Sequence, residues 1–248
     1  MKKIIWIDVG THFAQEHSSL FGSNSIFYLH ILKRFIGGKL LRRGKFVGLT
    51  DLRNIISLRS KIRKREKDFF TVFIDANPKI FFRKKNYLNA SLAFNLALTS
   101  NSGLPFSITK LYLGNREEFS QGSSIFLEKE NVHKDSYFST LSLSAEVFFK
   151  LLKKYLDEKF NDYDVLLRVN CEGVEDDVIY SAHKNFENKL KFICGSLKDV
   201  EDIKGSLAYN NLNSYLIENK LIFEMFHSRI DSWKKAYAAI LNLIENRK

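Results

Sequence analysis

Short apolar runs that end in polar residues and a glycine recur along the chain, and helix-compatible sequence follows each one. The first is Lys3–Val9, which runs into Gly10, Thr11 and His12. The second is Phe69–Ile74, which ends at Asp75, and the third is Val165–Val169, which runs into Asn170, Cys171, Glu172 and Gly173. Runs of this length read as parallel strands buried on both faces. Between them the pattern predicts a helix over 12–35, broken near Gly22-Ser23, and a short helix near 51–66. Asn77-Pro78 opens another helix, with proline at a favoured first position. Further expectations are a strand over 91–98, β-hairpin material over 104–128, an amphipathic helix over 144–160 and a helix over 174–186. A strand at 190–194, a helix at 206–219, a strand at 220–227 and a terminal helix from 231 complete the pattern. Strands alternating with helices imply a mainly parallel sheet with right-handed crossovers.

Length and composition fit one α/β domain over 1–248, with residues 36–66 as an insertion marked by Gly37, Gly38, Gly44 and Gly48. Only Pro78 and Pro105 occur, which favours long regular elements over disorder. No apolar run reaches the roughly 20 residues of a membrane span, and Asp8 interrupts the first run, so a strand suits it better than a signal peptide. A cytoplasmic protein, peripheral to the membrane at most, is the expectation. Cys171 and Cys194 then read as reduced, buried thiols.

The net charge of +11 attracts anions without choosing among them. Its excess is local. Thirteen lysines and arginines lie between Lys33 and Lys67, opposed only by Asp51 and Glu66. Apolar residues interleave with them, which fits an anionic membrane surface, a nucleic acid contact or an ordinary solvated helix.

Three sites carry candidate chemistry. Asp8, Gly10, Thr11 and His12 form a strand-to-helix turn where a glycine lets backbone approach a ligand. The full G-x-G-x-x-G fingerprint and the G-x-x-x-x-G-K-[ST] loop are both absent, against a dinucleotide or triphosphate cradle. Asp75 ends the second strand, where a carboxylate can accept from two ribose hydroxyls, although a helix-capping aspartate has the same pattern. Arg168, Asn170 and Glu172 share a parity on an apolar strand; they read as a site or as an Arg168–Glu172 ion pair sealing the sheet edge. No metal-ligand spacing stands out, and His133 and His183 pair with no nucleophile pattern.

These residues resemble the FkbM-type methyltransferases, a branch of the class I S-adenosylmethionine-dependent fold. The resemblance rests on Asp8-Val9-Gly10-Thr11-His12, on Asp75-Ala76-Asn77-Pro78, on Arg168-Val169-Asn170-Cys171-Glu172-Gly173-Val174-Glu175 and on Gly122-Ser123-Ser124. Departures are Ala14 at an expected glycine, Arg168 for lysine and Asn170 for aspartate. The resemblance implies a Rossmann-like, mostly parallel seven-stranded sheet flanked by helices, with S-adenosylmethionine as cofactor. It implies that Asp8, Gly10, Thr11 and His12 hold the amino-acid part of the cofactor. Asp75 binds its ribose with help from Asn77, Thr99 flanks adenine, and Asn170 faces the sulfonium. Glu172 is the leading catalytic base and His12 the second, with a sugar or glycan hydroxyl as acceptor. The alternatives are an RNA methyltransferase and a binding module that has lost turnover.

Overall fold

A computed structural model describes residues 2–35, 48–83, 90–100, 104–120, 122–227 and 230–246. The central sheet has strands β1 (Lys3–Val9), β2 (Phe69–Asp75) and β3 (Leu92–Asn95). A second sheet holds β4 (Ala97–Thr99), β5 (Phe106–Gly114) and β6 (Val132–Ser144). The central sheet is completed by β7 (Tyr163–Val169), β8 (Leu190–Gly195) and β9 (Phe223–Met225). Its order is β3-β2-β1-β7-β8-β9, and every neighbouring pair is parallel.

Helices cover both faces. α1 (Gln15–Phe21), α2 (Asn24–Phe35), α3 (Leu49–Arg63) and a single-turn α4 (Pro78–Phe81) follow the first two strands. Then come α5 (Ala145–Lys159), α6 (Glu175–Phe186), α7 (Lys198–Lys204), α8 (Ser206–Glu218) and α9 (Trp233–Glu245). Alternation along β1 and β7 divides the core. Ile5, Ile7, Val9, Val165 and Leu167 meet α5 and α6. Ile4, Trp6 and Leu166 meet α1, α3 and α9. Trp6 is fully buried and packs edge-on against His17 and Phe21. No described helix is long and apolar enough to cross a membrane.

Several expectations shift. The central sheet has six strands rather than seven among the described residues. The stretch at 91–98 is two strands, because the chain leaves the central sheet after Asn95 and enters the second at Ala97. The hairpin at 104–128 is half right. β5 is its first arm, but its antiparallel partner is β6, and the residues between form a long loop tied by one bridge, Tyr112 to Ser124. β6 lies outside the predicted strands, because its serines and threonines hide the alternation. α7 was missed because it is a short, charged helix with one buried side chain, Val200. Within the basic insertion, 36–47 lie outside the described residues and the remainder is mostly α3.

Sheet order reverses between β1 and β7, so the crossovers leave these strands toward opposite faces. Such a switch point opens a crevice at the carboxyl ends of the strands.

Candidate functional site

Gly10 follows β1 with φ of 73°, and its amide donates to the Ile74 carbonyl at 2.9 Å. A Cβ there would sit 2.0 Å from the Asn170 carbonyl oxygen. The glycine is therefore required by the close approach of the β1 and β7 exits. Thr11 serves the same junction: its hydroxyl donates to the Asp8 carbonyl at 2.7 Å and accepts from the Ile74 amide at 3.2 Å. Gly10→Ala adds backbone strain of about 1–2 kcal/mol to an overlap of about 1–3 kcal/mol. Urea unfolding of that variant should show a loss of about 2–5 kcal/mol.

Asp8 does not face the cleft. It is fully buried and lies in register with Arg168 on the neighbouring strand. Arg168 Nη1 donates to Asp8 Oδ1 at 2.9 Å and to the Gly10 carbonyl at 2.7 Å, while Nη2 stands 3.1 Å from Glu16 Oε1. The expected cofactor contact is thus one corner of a buried ion network beneath the turn. Burial raises the Asp8 carboxyl to about 6, although Arg168 pulls the other way. Ala14, at the expected glycine, has φ of 50° and is buried; it turns the chain into α1 without entering the cleft.

Asp75 does face the cleft. Its Oδ2 accepts from the His12 amide at 2.6 Å and its Oδ1 from the Asn77 amide at 2.8 Å. A carboxylate oxygen has two lone pairs, so each keeps one for a ligand hydroxyl. Burial lifts this carboxyl to about 6. The Asn77 side chain is spent on structure. Its oxygen caps α4 at Lys79, 2.9 Å away, and its amide donates to the Glu118 carbonyl at 2.8 Å. His12 has φ of 51°, and its Nε2 lies 3.3 Å from the Phe119 carbonyl. Burial lowers this imidazole to about 4, so it is neutral at pH 7. Both contacts draw the 115–131 loop over the cleft.

Parity along β7 ends with the strand at Val169, and Glu172 has φ of 64°. Arg168, Asn170 and Glu172 all line the cleft as their shared parity suggested, but the Arg168–Glu172 pair does not form. Glu172 instead pairs with Lys129 of the loop, which also holds Asp199 at 2.7 Å. Glu175 reaches back to accept from the amides of Cys171, Glu172 and Gly173 at 2.7–2.9 Å, fixing this turn. Burial raises the Glu175 carboxyl to about 7 and pushes the Cys171 thiol well up. Glu16, Lys129 and this role of Glu175 are not legible in the sequence as site features.

The cleft joins Gly10, Thr11, His12, Asp75, Asn77, Asn170 and Glu172. Its inner volume is about 130 Å³, opening to about 870 Å³ with its mouth counted. Thr99 does not line it; Leu96, Ala97, Leu98 and Ile80 supply an apolar wall instead. Of the three lining carboxylates, Glu16 is paired with Arg168 and Glu172 with Lys129, which leaves Asp75 as the one whose oxygens meet backbone amides rather than a cation. Among the described residues no group of three His, Cys, Asp or Glu side chains is arranged to hold a metal ion.

Fold and site together define a Rossmann-like α/β protein with a cleft at the switch point of its parallel sheet. No protein-family model matches the chain, and comparisons with characterised proteins and with solved structures returned no significant match.

Proposed function

We propose that the chain is an S-adenosylmethionine-dependent O-methyltransferase of FkbM type, acting on a hydroxyl of a saccharide. The observation that carries this reading is the Asp75 carboxylate at the end of β2, facing the cleft and held by two backbone amides. Glu16 in the first turn of α1 opposes the pyrophosphate that a helix N-terminus would otherwise attract, and a single glycine in the turn leaves no second close approach for one. A cofactor bearing an adenosine, an ammonium and a sulfonium suits such a hollow better than a dinucleotide does. The fit is partial: Asp75, the Leu96–Leu98 wall and the Asn170–Glu172 turn suit the group, whereas Asp8 has no direct part in holding it.

S-adenosylmethionine supplies, when bound, a methyl group activated by its attachment to positively charged sulfur. The chain's residues bind, orient and take a proton. Asp75 accepts from the ribose hydroxyls, and the apolar wall flanks the adenine. Asn170 hydrogen-bonds the acceptor. Lys129 engages Glu172 Oε2, leaving Oε1 to take the proton of the attacking hydroxyl. His12 is the weaker base, because burial makes its imidazole reluctant to hold a proton.

The test is mass spectrometry of the purified protein for bound S-adenosylmethionine or S-adenosylhomocysteine, then calorimetry with each beside NAD and ATP. Binding of NAD or ATP in preference to both adenosyl compounds would sink the reading. A pH signature accompanies it. Ribose recognition needs the ionised Asp75 carboxylate, whose pKa in the free protein is about 6. Affinity for S-adenosylhomocysteine is therefore flat above pH 7 and falls below pH 6, approaching about tenfold per unit. Calorimetry at pH 5, 6 and 7.5 measures this.

A further inference from the structure

We propose that the outward face of the α2–α3 pair docks on a membrane surface rich in anionic lipid headgroups. This surface lies apart from the cleft residues, and the inference does not rest on the methyltransferase reading.

The start of α2 meets the end of α3. Arg59 and Arg63, late in α3, both donate to Asn24 Oδ1 at the start of α2, at 2.8 and 2.5 Å. Arg59 also donates to the carbonyls of Ser19 and Gly22 and stands 4.2 Å over the Phe27 ring, which locks α2 against the body. Phe27 and Ile55 face the core, so the opposite sides face solvent.

That solvent side is apolar where a surface helix is ordinarily polar. Tyr28 is 49% exposed, Leu29 64%, Leu32 54%, and Leu49 at the start of α3 64%. Tyr28, Leu29 and Leu32 occupy one side of α2 by helical spacing. On α3 the positions 49, 53, 56, 60 and 64 follow each other at spacings of four and three, so Leu49 and the cations Arg53 and Lys64 share one face. A hollow of about 320 Å³ brings Tyr28 together with Arg63 and Lys64 and has room for a headgroup phosphate.

Cations outnumber acids here: Arg53, Arg59, Lys61, Arg63, Lys64, Arg65 and Lys67 stand against Asp51, Glu66 and Asp68. Asp51, the single acid of α3, is spent on Lys234 of α9 at 2.7 Å, and Asp68 beyond the helix is held by Arg65 at 2.5 Å. Among the described residues no carboxylate stands within ion-pair distance of Arg53, Arg63 or Lys64. Aliphatic side chains edged by uncompensated cations are the composition of a helix lying in the headgroup boundary of an anionic bilayer. A nucleic acid backbone would use the cations but leave Leu29, Leu32 and Leu49 wetted.

Co-sedimentation of the full chain with phosphatidylserine–phosphatidylcholine vesicles, against phosphatidylcholine alone, tests the proposal. The full chain should pellet with the anionic vesicles only. L29D/L32D should abolish pelleting, and R53A/K64A should lower the partition coefficient roughly 25-fold at low salt, about fivefold for each cation. Both variants alter exposed side chains, and unchanged melting temperatures will verify that they fold. Equal pelleting with neutral vesicles, no pelleting with either, or anionic binding that survives L29D/L32D would overturn the proposal. Tight single-stranded RNA binding, lost in R53A/K64A but untouched by L29D/L32D, in a chain that leaves vesicles unbound, would assign the face to nucleic acid instead.

Discussion

Replacing Arg168 with methionine is expected to cost about 3–5 kcal/mol of folding stability, the range for breaking a buried ion pair from one side. Two carboxylates depend on this guanidinium. Asp8 is fully buried and Glu16 is 4% exposed, and in the variant neither keeps a cation within reach. For a chain of this size the loss corresponds to a fall of roughly 6–20 °C in melting temperature. The variant also carries a pH signature. Burial already raises Asp8 to about 6 with Arg168 pulling it down, so removing Arg168 raises it further. A carboxyl whose folded pKa lies above its unfolded value takes up a proton on folding, and its contribution to stability falls as pH rises from the unfolded to the folded pKa. The deficit relative to the unmodified chain should therefore be smaller at pH 5 than at pH 8. Urea unfolding at both values measures it. D8N/E16Q/R168M, which removes the charges together, should recover much of the loss. An R168M deficit equal at the two pH values would show that the network contributes through packing rather than charge.

That network also shows where sequence stops being legible. The apolar runs located β1, β2 and β7 within two residues, because strands buried on both faces leave continuous signals. The exits of those strands, Gly10, Asp75 and Asn170, were legible too, because glycine and polar residues at the end of such runs have few other uses. Depth was not. Parity says which side of a sheet a side chain leaves by, and Asp8 and Asp75 both look like strand-end carboxylates. Which one faces the cleft depends on Arg168 across the strand and Glu16 in the first turn of α1, and neither distance is written in a linear pattern. The left-handed backbone at His12 and Glu172 means that parity alone cannot place these side chains, although Arg168, Asn170 and Glu172 do meet in one cleft. Lys129 arrives from a loop closed by β6, the strand whose serines concealed it.

Asp75→Asn should weaken S-adenosylhomocysteine binding at least 100-fold, because two hydrogen bonds to a charged group carry about 1.5–3 kcal/mol each. The substitution is nearly isosteric but chemically severe. One side-chain position becomes an NH2 donor, and the two positions already face the backbone N–H groups of His12 and Asn77. Whichever way the amide turns, one donor meets another. The variant therefore also loosens the turn that carries His12 and the cap that starts α4, at about 1–3 kcal/mol of stability. The two effects separate by measurement. Thermal melting reports the turn, and calorimetry on the folded fraction reports the ligand. Asn77→Ala supplies the comparison, since it removes the α4 cap and the Glu118 contact while leaving the Asp75 carboxylate charged. If recognition runs through Asp75, Asn77→Ala loses stability but keeps most of its affinity, whereas Asp75→Asn loses both. Equal affinities in the two folded variants would mean that this carboxylate only holds the turn, and that the adenosine is read elsewhere or not at all.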